Sequence, residues 1–339
     1  MPKFLVIGEA LVDVLPDGEL PGGSPANTAV ALARLGHPTS LVTTLGDDPR
    51  GATIREWLAA SDVKVEVSPL ATGRTSSATV SLAADGVPTY EFDLTWDPPA
   101  ELIAGALTDI ESLGNHEAQD AFACGCPAAL DAVGSNALAA QGAPDDAYLH
   151  VGSIATVLEP GASTIRQAVR DAKARGMVVS FDPNARPSIT PDVNTVLGQV
   201  EALVAAADIV KVSDEDLAWY YPGAAPAVVA RQWARRGPAL VVVTLGSAGA
   251  LAVRGSDPLQ LISVPGVPVP VADTVGAGDT FMGALLDWLA GHHCIVLREL
   301  TADQVGAALK WATRAAAITV SRPGMDPPSV AELAAAVAE

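Results

Sequence analysis

Short apolar runs of strand length, separated by segments of helical character, constrain this chain more than any other feature. Phe4 to Ile7, Thr39 to Thr44, Tyr148 to Val151, Val178 to Asp182, Ile209 to Val212 and Leu240 to Thr244 are such runs, without clear polar–apolar alternation. Strands of that kind are buried on both faces. Ala26 to Leu35, Gly51 to Ala60, Gly161 to Arg175, Thr195 to Ala207 and Ala227 to Arg236 read as helices between them, with Gly36 as the stop of the first. Val305 to Val320 and Val330 to Val337 add two more near the end. Strands and helices in this order predict a parallel sheet sandwiched by helices, with Ala239 to Val253 as strand–turn–strand. At 339 residues the chain has enough material for a sizeable core, in one large α/β domain or two smaller units.

One region breaks the rhythm. Ser76 to Leu82 and Thr89 to Leu94 alternate polar and apolar residues, and Asp85-Gly86 between them signals a turn. This is a hairpin with one buriable face, and Val12 to Val14 before Asp17-Gly18 adds a further short strand. These pieces form a small sheet standing off the main body, read as a lid over a pocket or as an ordinary edge hairpin. Asn115 to Ala143 is poor in bulky apolar residues and reads as a surface insertion of unassigned role.

Composition excludes several classes. A net charge of −19 argues against nucleic acid, which calls for a basic footprint. No apolar run approaches the roughly 18 residues a membrane-spanning helix needs. Met1-Pro2-Lys3 leads straight into a strand with no signal-peptide layout, so a soluble, cytoplasmic protein is expected. Cys124, Cys126 and Cys294 are an odd, sparse set that fits a reducing compartment, and inert thiols are the simplest reading.

The chemistry-bearing stretch is Asp273-Thr274-Val275-Gly276-Ala277-Gly278-Asp279-Thr280-Phe281. Extended chain broken by prolines precedes it, and Phe281, Leu285, Leu286 and Leu289 recur at helical spacing after it, placing a helix start near Asp279. A helix start offers unpaired N–H groups and partial positive charge, and glycines let a ligand approach. Asp279 adds a carboxylate where a general base would stand, or else merely caps the helix. The phosphate loop ending in Gly-Lys-Ser/Thr is absent, and Phe281 occupies the third glycine position of the dinucleotide fingerprint.

Other candidates stand at strand ends. Asp13 follows the first strand, and Gly22-Gly23-Ser24-Pro25-Ala26-Asn27 precedes or opens the next helix; Asp13 and Asn27 could bond hydroxyls, though taken singly Asp13 reads as a turn residue and Asn27 as a cap. Asp182-Pro183-Asn184-Ala185-Arg186-Pro187 follows a buried strand where ligands bind in open sheets; its Asp and Arg read as a loop ion pair, or the Arg as a phosphate contact. Lys211-Val212-Ser213-Asp214-Glu215-Asp216 ends another strand with carboxylates suited to hydrated Mg²⁺, or to dressing a helix N-terminus.

Taken together these motifs resemble the ribokinase-like (PfkB) family of sugar kinases over nearly the whole chain. Gly22 to Ala29 is similar to its N-terminal signature and Asp273 to Phe281 to its C-terminal one. Gly152-Ser153-Ile154, Glu159-Pro160-Gly161, Asp182 to Pro187 and Ser321-Arg322-Pro323-Gly324 look most like the fructokinase branch. The resemblance implies a single doubly wound α/β domain over 1–339 with a β lid from about 12–23 and 74–98. It implies transfer of the ATP γ-phosphoryl to a primary sugar hydroxyl, with Asp279 as base and Gly276, Ala277 and Gly278 as the anion hole. It puts Asp13, Gly22, Gly23, Asn27 and Arg186 at the sugar; by position Phe92 and Trp96, at the lid's end, stack on a sugar face or close the lid's own core, and the sugar is the reading favoured. Lys211, Ser213, Thr244 and Gly246 fall at ATP, Asp216 at Mg²⁺, and Asp273, with the Ser321 to Gly324 loop, at a monovalent cation such as K⁺. Ser213-Asp214-Glu215-Asp216 departs from the family's Asn-x-x-Glu. Homodimerisation through the lid is implied as well. The rivals are a ketodeoxygluconate kinase, for which Arg186 suits a substrate carboxylate, a non-catalytic sugar or nucleotide sensor, and, more remotely, a nicotinamide-dependent oxidoreductase.

Overall fold

The computed structural model describes residues 1–16, 18–69, 73–82, 88–112, 147–190, 192–292 and 296–338. The Asp85-Gly86 turn, the Asn115 to Ala143 segment and all three cysteines lie outside the described residues. In chain order the first half holds β1 (Lys3–Ile7), β2 (Leu11–Leu15), β3 (Gly18–Gly22), α1 (Ser24–Arg34), β4 (Thr39–Leu45), α2 (Pro49–Ala59), β5 (Lys64–Pro69), β6 (Ser77–Leu82), β7 (Pro88–Asp93) and α3 (Ala100–Ser112). The second half runs β8 (Ala147–Gly152), α4 (Gly161–Ala174), β9 (Val178–Asp182), α5 (Val193–Ala206), β10 (Ile209–Ser213), α6 (Asp214–Tyr220), α7 (Pro226–Ala234), β11 (Leu240–Thr244), β12 (Ala250–Arg254), β13 (Asp257–Val264), α8 (Ala277–Gly291), α9 (Ala302–Val320) and α10 (Val330–Ala338).

Nine strands form one sheet in the order β13-β12-β11-β10-β9-β8-β1-β4-β5. The seven from β11 to β5 run parallel, while β12 and β13 close one edge antiparallel. Both faces are covered, as the unalternating strands require. In β1, Phe4 and Val6 join the core against α1, α8 and α9, whereas Leu5 and Ile7 join the core against α3, α4 and α5. That is the period-two rule applied to a strand with no solvent face. The chain first builds outward from β1 to β4 and β5, then returns to the other side of β1 for β8 to β11. The winding reverses between β1 and β8, and ligands of open α/β sheets bind outside the strand C-termini at such a reversal.

The second sheet has the order β3-β2-β6-β7, with β2 and β6 parallel and the outer pairs antiparallel. It grows from the C-terminal end of β1 through the Gly8-Glu9-Ala10 link, so its root lies at the strand ends where the reversal occurs.

One helix pair matters for the site. In α1 every residue from Ser24 to Leu32 is buried, and its alanines let α8 come close. A Cβ on Gly283 of α8 would stand 2.8 Å from Ala31 Cβ, so the absence of a side chain sets this spacing.

Candidate active site

A cavity of about 1030 Å³ opens at the strand C-termini, beneath the second sheet. Its wall brings together residues separated by most of the chain: Asp13, Gly23 and Asn27; Asn184 and Arg186; Lys211, Ser213 and Asp216; Thr244 and Gly246; and Gly276 to Asp279.

The loop before α8 turns at Gly276, whose φ of 71° lies in the left-handed region. Gly276 is the N-cap and the helix begins at Ala277, two residues before the expected start. Asp279 is therefore the third residue of the first turn and makes no cap bond. The amides of this turn have no helical acceptor, and the helix dipole favours an anion there. Ala277 N closes the preceding turn onto Thr274 O at 3.3 Å.

With no backbone amide to cap, the Asp279 carboxylate is held instead by α1. Ser24 Oγ donates to Oδ1 and Asn27 Nδ2 to Oδ2, each at 2.7 Å, and Asp279 is only 6% exposed. Ser24 and Asn27 are three residues apart in a first turn, hence on one helix face. Asn27 Oδ1 is buried without a partner, an acceptor left for a ligand hydroxyl.

Lys211 reaches the same place from β10. Its Nζ lies 2.8 Å from Asp182 Oδ2, and a Cβ on Gly278 would meet that Nζ at 2.9 Å. Glycine at 278 thus lets an ammonium approach the helix start. Burial alone would push Lys211 down; the Asp182 carboxylate outweighs it, and the ammonium stays above the usual lysine value. Burial pushes the Asp182 carboxyl up while Lys211 pulls it down. Asp182 Oδ1 is buried and unpartnered. Of the two readings of this loop, the Asp182–Arg186 ion pair is not formed, because Asp182 pairs with Lys211. The Arg186 guanidinium bonds to Asn184 Oδ1 at 2.6 Å and to the Ala185 carbonyl, which fixes it on its own loop.

Ser213 and Asp216 form a capping box on α6: Ser213 Oγ accepts from Asp216 N, and Asp216 Oδ2 from Ser213 N. Asp216 Oδ1 accepts from Ala185 N. Asp273 lies off the cavity wall and ties two loops, accepting from Val275 N and Gly324 N. Gly22 pairs with Leu11 in the second sheet and leaves room for the Asp13 carboxylate, which a Cβ would meet at 2.7 Å. Burial pushes the Asp13 carboxyl up, against the pull of Arg186. Phe92 stands on the cavity wall, half-buried on β7.

Trp96 does not stand there. It is 2% exposed within the core against α3 and α4, where its indole packs on Gly161. The segment after β7 has already left the second sheet, and a large apolar ring is better buried than exposed at a mouth. Two residues of consequence carried no signal of their own. Ser24 sat inside a recognised motif without a role. Glu9 is buried on the cavity wall, and burial pushes its carboxyl up to about 7 against bonds from Ser153 and Ala155 and the pull of Arg186.

Known proteins resemble this chain in sequence and in fold. The profile of the pfkB family carbohydrate kinases matches residues 9–102 and 131–331. A fructokinase of Klebsiella pneumoniae is 37% identical over 299 residues, covering 86% of this chain and 85% of that protein. A fructokinase of Vibrio alginolyticus is 31% identical over 335 residues, covering 96% and 94%. The crystal structure of a Vibrio cholerae O395 fructokinase with fructose, ADP and calcium bound superimposes with a TM-score of 0.74 at 28% identity, covering 99% and 98%. A cavity at the winding reversal, a glycine turn opening a helix, and a buried aspartate beside a buried lysine are thus set in a matching sequence and fold: the chain belongs to the pfkB family of carbohydrate kinases.

Proposed function

We propose that this protein is an ATP-dependent fructokinase that forms fructose 6-phosphate and ADP. The observation that carries the reading is Asp279, a buried carboxylate held by Ser24 and Asn27 in the first turn of α8, in one cavity with Lys211. Each oxygen bound by Ser24 or Asn27 keeps a further lone pair, so Asp279 can accept the proton of a primary hydroxyl. The freed alkoxide oxygen bonds to the γ-phosphorus as the bond to the β,γ-bridging oxygen breaks, and ADP leaves with that electron pair. The first-turn amides of α8 and the Lys211 ammonium face the charge carried on the moving group, and little else is asked of the protein.

Asp13, Asn27 and Arg186 hold the sugar, with Gly22 and Gly23 shaping that wall and Phe92 against its apolar face. Ser213, Thr244 and Gly246 receive the nucleotide. Magnesium fits the donor set: Mg²⁺ prefers phosphate and water oxygens with one or two carboxylates, and the Asp216 carboxylate stands on the cavity wall. Asp216, on the cavity wall, would hold it through such waters, with the buried Asp182 adding negative charge behind it, and bound there it neutralises phosphate charge. Asp273, which already joins its own loop to Gly324, is the proposed monovalent-cation position. We place the enzyme in the cytoplasm as a homodimer joined through the second sheet, which acts as a lid.

The test is turnover of the purified protein with ATP and Mg²⁺ against hexoses, pentoses and ketoacid sugars. Fructose is expected to lead, and no phosphorylation of any primary alcohol would remove the enzyme reading. Ketodeoxygluconate is the direct competitor, because Arg186 suits a carboxylate; the acids Asp13 and Glu9 on the same wall favour the neutral sugar.

A further inference from the structure

Glu9 has no part in the transfer chemistry, yet its side chain lies on the sugar half of the cavity. It sits in the link between β1 and β2, 5% exposed, on the wall with Asp13, Asn27 and Arg186. Its Oε2 accepts from Ala155 N at 3.1 Å, and the Ser153 hydroxyl bonds to the same carboxyl. Both donors are neutral. Among the described residues no ion pair reaches Glu9, and Arg186 acts on it only from beyond bonding distance, its Nη1 bonded to Asn184 and Ala185.

If the side chain only stapled the Ser153–Ala155 turn, a glutamine amide oxygen would accept the Ala155 N–H equally well. A buried carboxylate costs far more than an amide, and neutral donors offset only part of that cost. The remaining acceptor capacity faces the cavity, where hydroxyl donors would satisfy it and a second negative charge would be repelled.

We infer that Glu9 is a specificity-determining residue: its carboxylate accepts hydrogen bonds from hydroxyls of a neutral sugar and turns away carboxylate-bearing sugars by like-charge repulsion. The inference rests on the sugar-kinase reading.

The test compares wild type with Glu9→Gln on fructose and on 2-keto-3-deoxygluconate at pH 8, above the value of about 7 to which burial pushes the carboxyl, so that Glu9 is ionised. Glu9→Gln should raise KM for fructose about tenfold, the loss expected for one hydrogen bond to a charged acceptor, with KM for ATP unchanged. The ratio of kcat/KM for the acid sugar to that for fructose should rise by about as much or more. A residue that only staples the turn would leave that ratio fixed, and an unchanged ratio overturns the inference. Should Glu9→Gln fail to fold, Glu9→Asp takes its place: it keeps the charge with a shorter reach, so fructose KM should rise while the acid sugar stays excluded, and any gain for the acid sugar overturns the inference. If wild type phosphorylates neither sugar, the kinase reading fails by itself. Calorimetric titration with fructose then decides Glu9, where weaker binding by Glu9→Gln supports the role and equal or absent binding by both overturns it.

Discussion

Asp279 owes its place to two short bonds from α1, and its substitution separates chemistry from binding. Asp279→Asn keeps the size of the side chain but cannot accept the proton. Nucleotide binding should persist, while transfer falls by ~10²-fold or more; calorimetry with ADP beside steady-state turnover checks both, and near-wild-type turnover would remove Asp279 as base. Glu9 makes a different prediction, in stability. Its carboxyl goes from 4.5 ordinarily to about 7 in the fold. Between those values the folded state holds the extra proton, so stability falls as pH rises across that window. Glu9→Gln has nothing to titrate there. The variant should therefore gain on wild type from pH 5 to pH 8, by at most about 3 kcal/mol. His150, pushed down to about 3 by burial and by Lys211, works the other way, costing stability as pH falls below 6.5. It is common to both proteins and cancels in the difference. Melting curves at matched pH values check this, and a constant offset would contradict the buried, raised carboxyl.

At the scale of elements, the α1–α8 contact converts sequence into site geometry. Gly283→Val would place a branched side chain where Ala31 Cβ is already 2.8 Å from the position of a Cβ, so the helices must part. Overpacking of this kind costs about 1–3 kcal/mol. The Ser24 and Asn27 bonds to Asp279 cross that same interface, so kcat should fall further than the loss of stability accounts for; denaturation midpoints and kcat together measure it. The contact also marks the limit of what could be read in advance. Strands buried on both faces announced themselves by composition, and the four strands from Tyr148 to Thr244 lie where their apolar runs placed them. The hairpin strands were legible from alternation, and the strand at Val12 from the Asp17-Gly18 turn signal after it. Partners across elements were not. Lys211 meets Asp182 because β9 and β10 pair with Ile209 opposite Ser180 and Val210 opposite Phe181, a register no local pattern states. Asp279 meets Ser24 across 255 positions of sequence, through helix packing set by small residues. Trp96 was read by its neighbours in sequence, whereas burial of its ring decided where it went.

For the whole molecule the open matter is the outer part of the second sheet. Directly paired residues share a face of a sheet. Asp13 pairs with Leu20 on one side and Ala78 on the other, and Ala78 pairs with Phe92, so all four share the face that carries the cavity wall. Leu15, two residues beyond Asp13, extends that face outward. Leu15 and Leu20 are 37% and 48% exposed, apolar side chains on that face. A second copy, offering its own sheet by two-fold symmetry, would bury both and complete the roof over each sugar. The protein should then sediment at twice 34.5 kDa at micromolar concentration. Leu20→Lys should shift it to a single chain and raise KM for fructose while leaving KM for ATP nearly unchanged, because on the proposed assignment the sheet covers only the sugar half of the cavity. A wild type that sediments as one chain, or a monomeric Leu20→Lys with unaltered fructose KM, would detach the second sheet from both assembly and sugar binding.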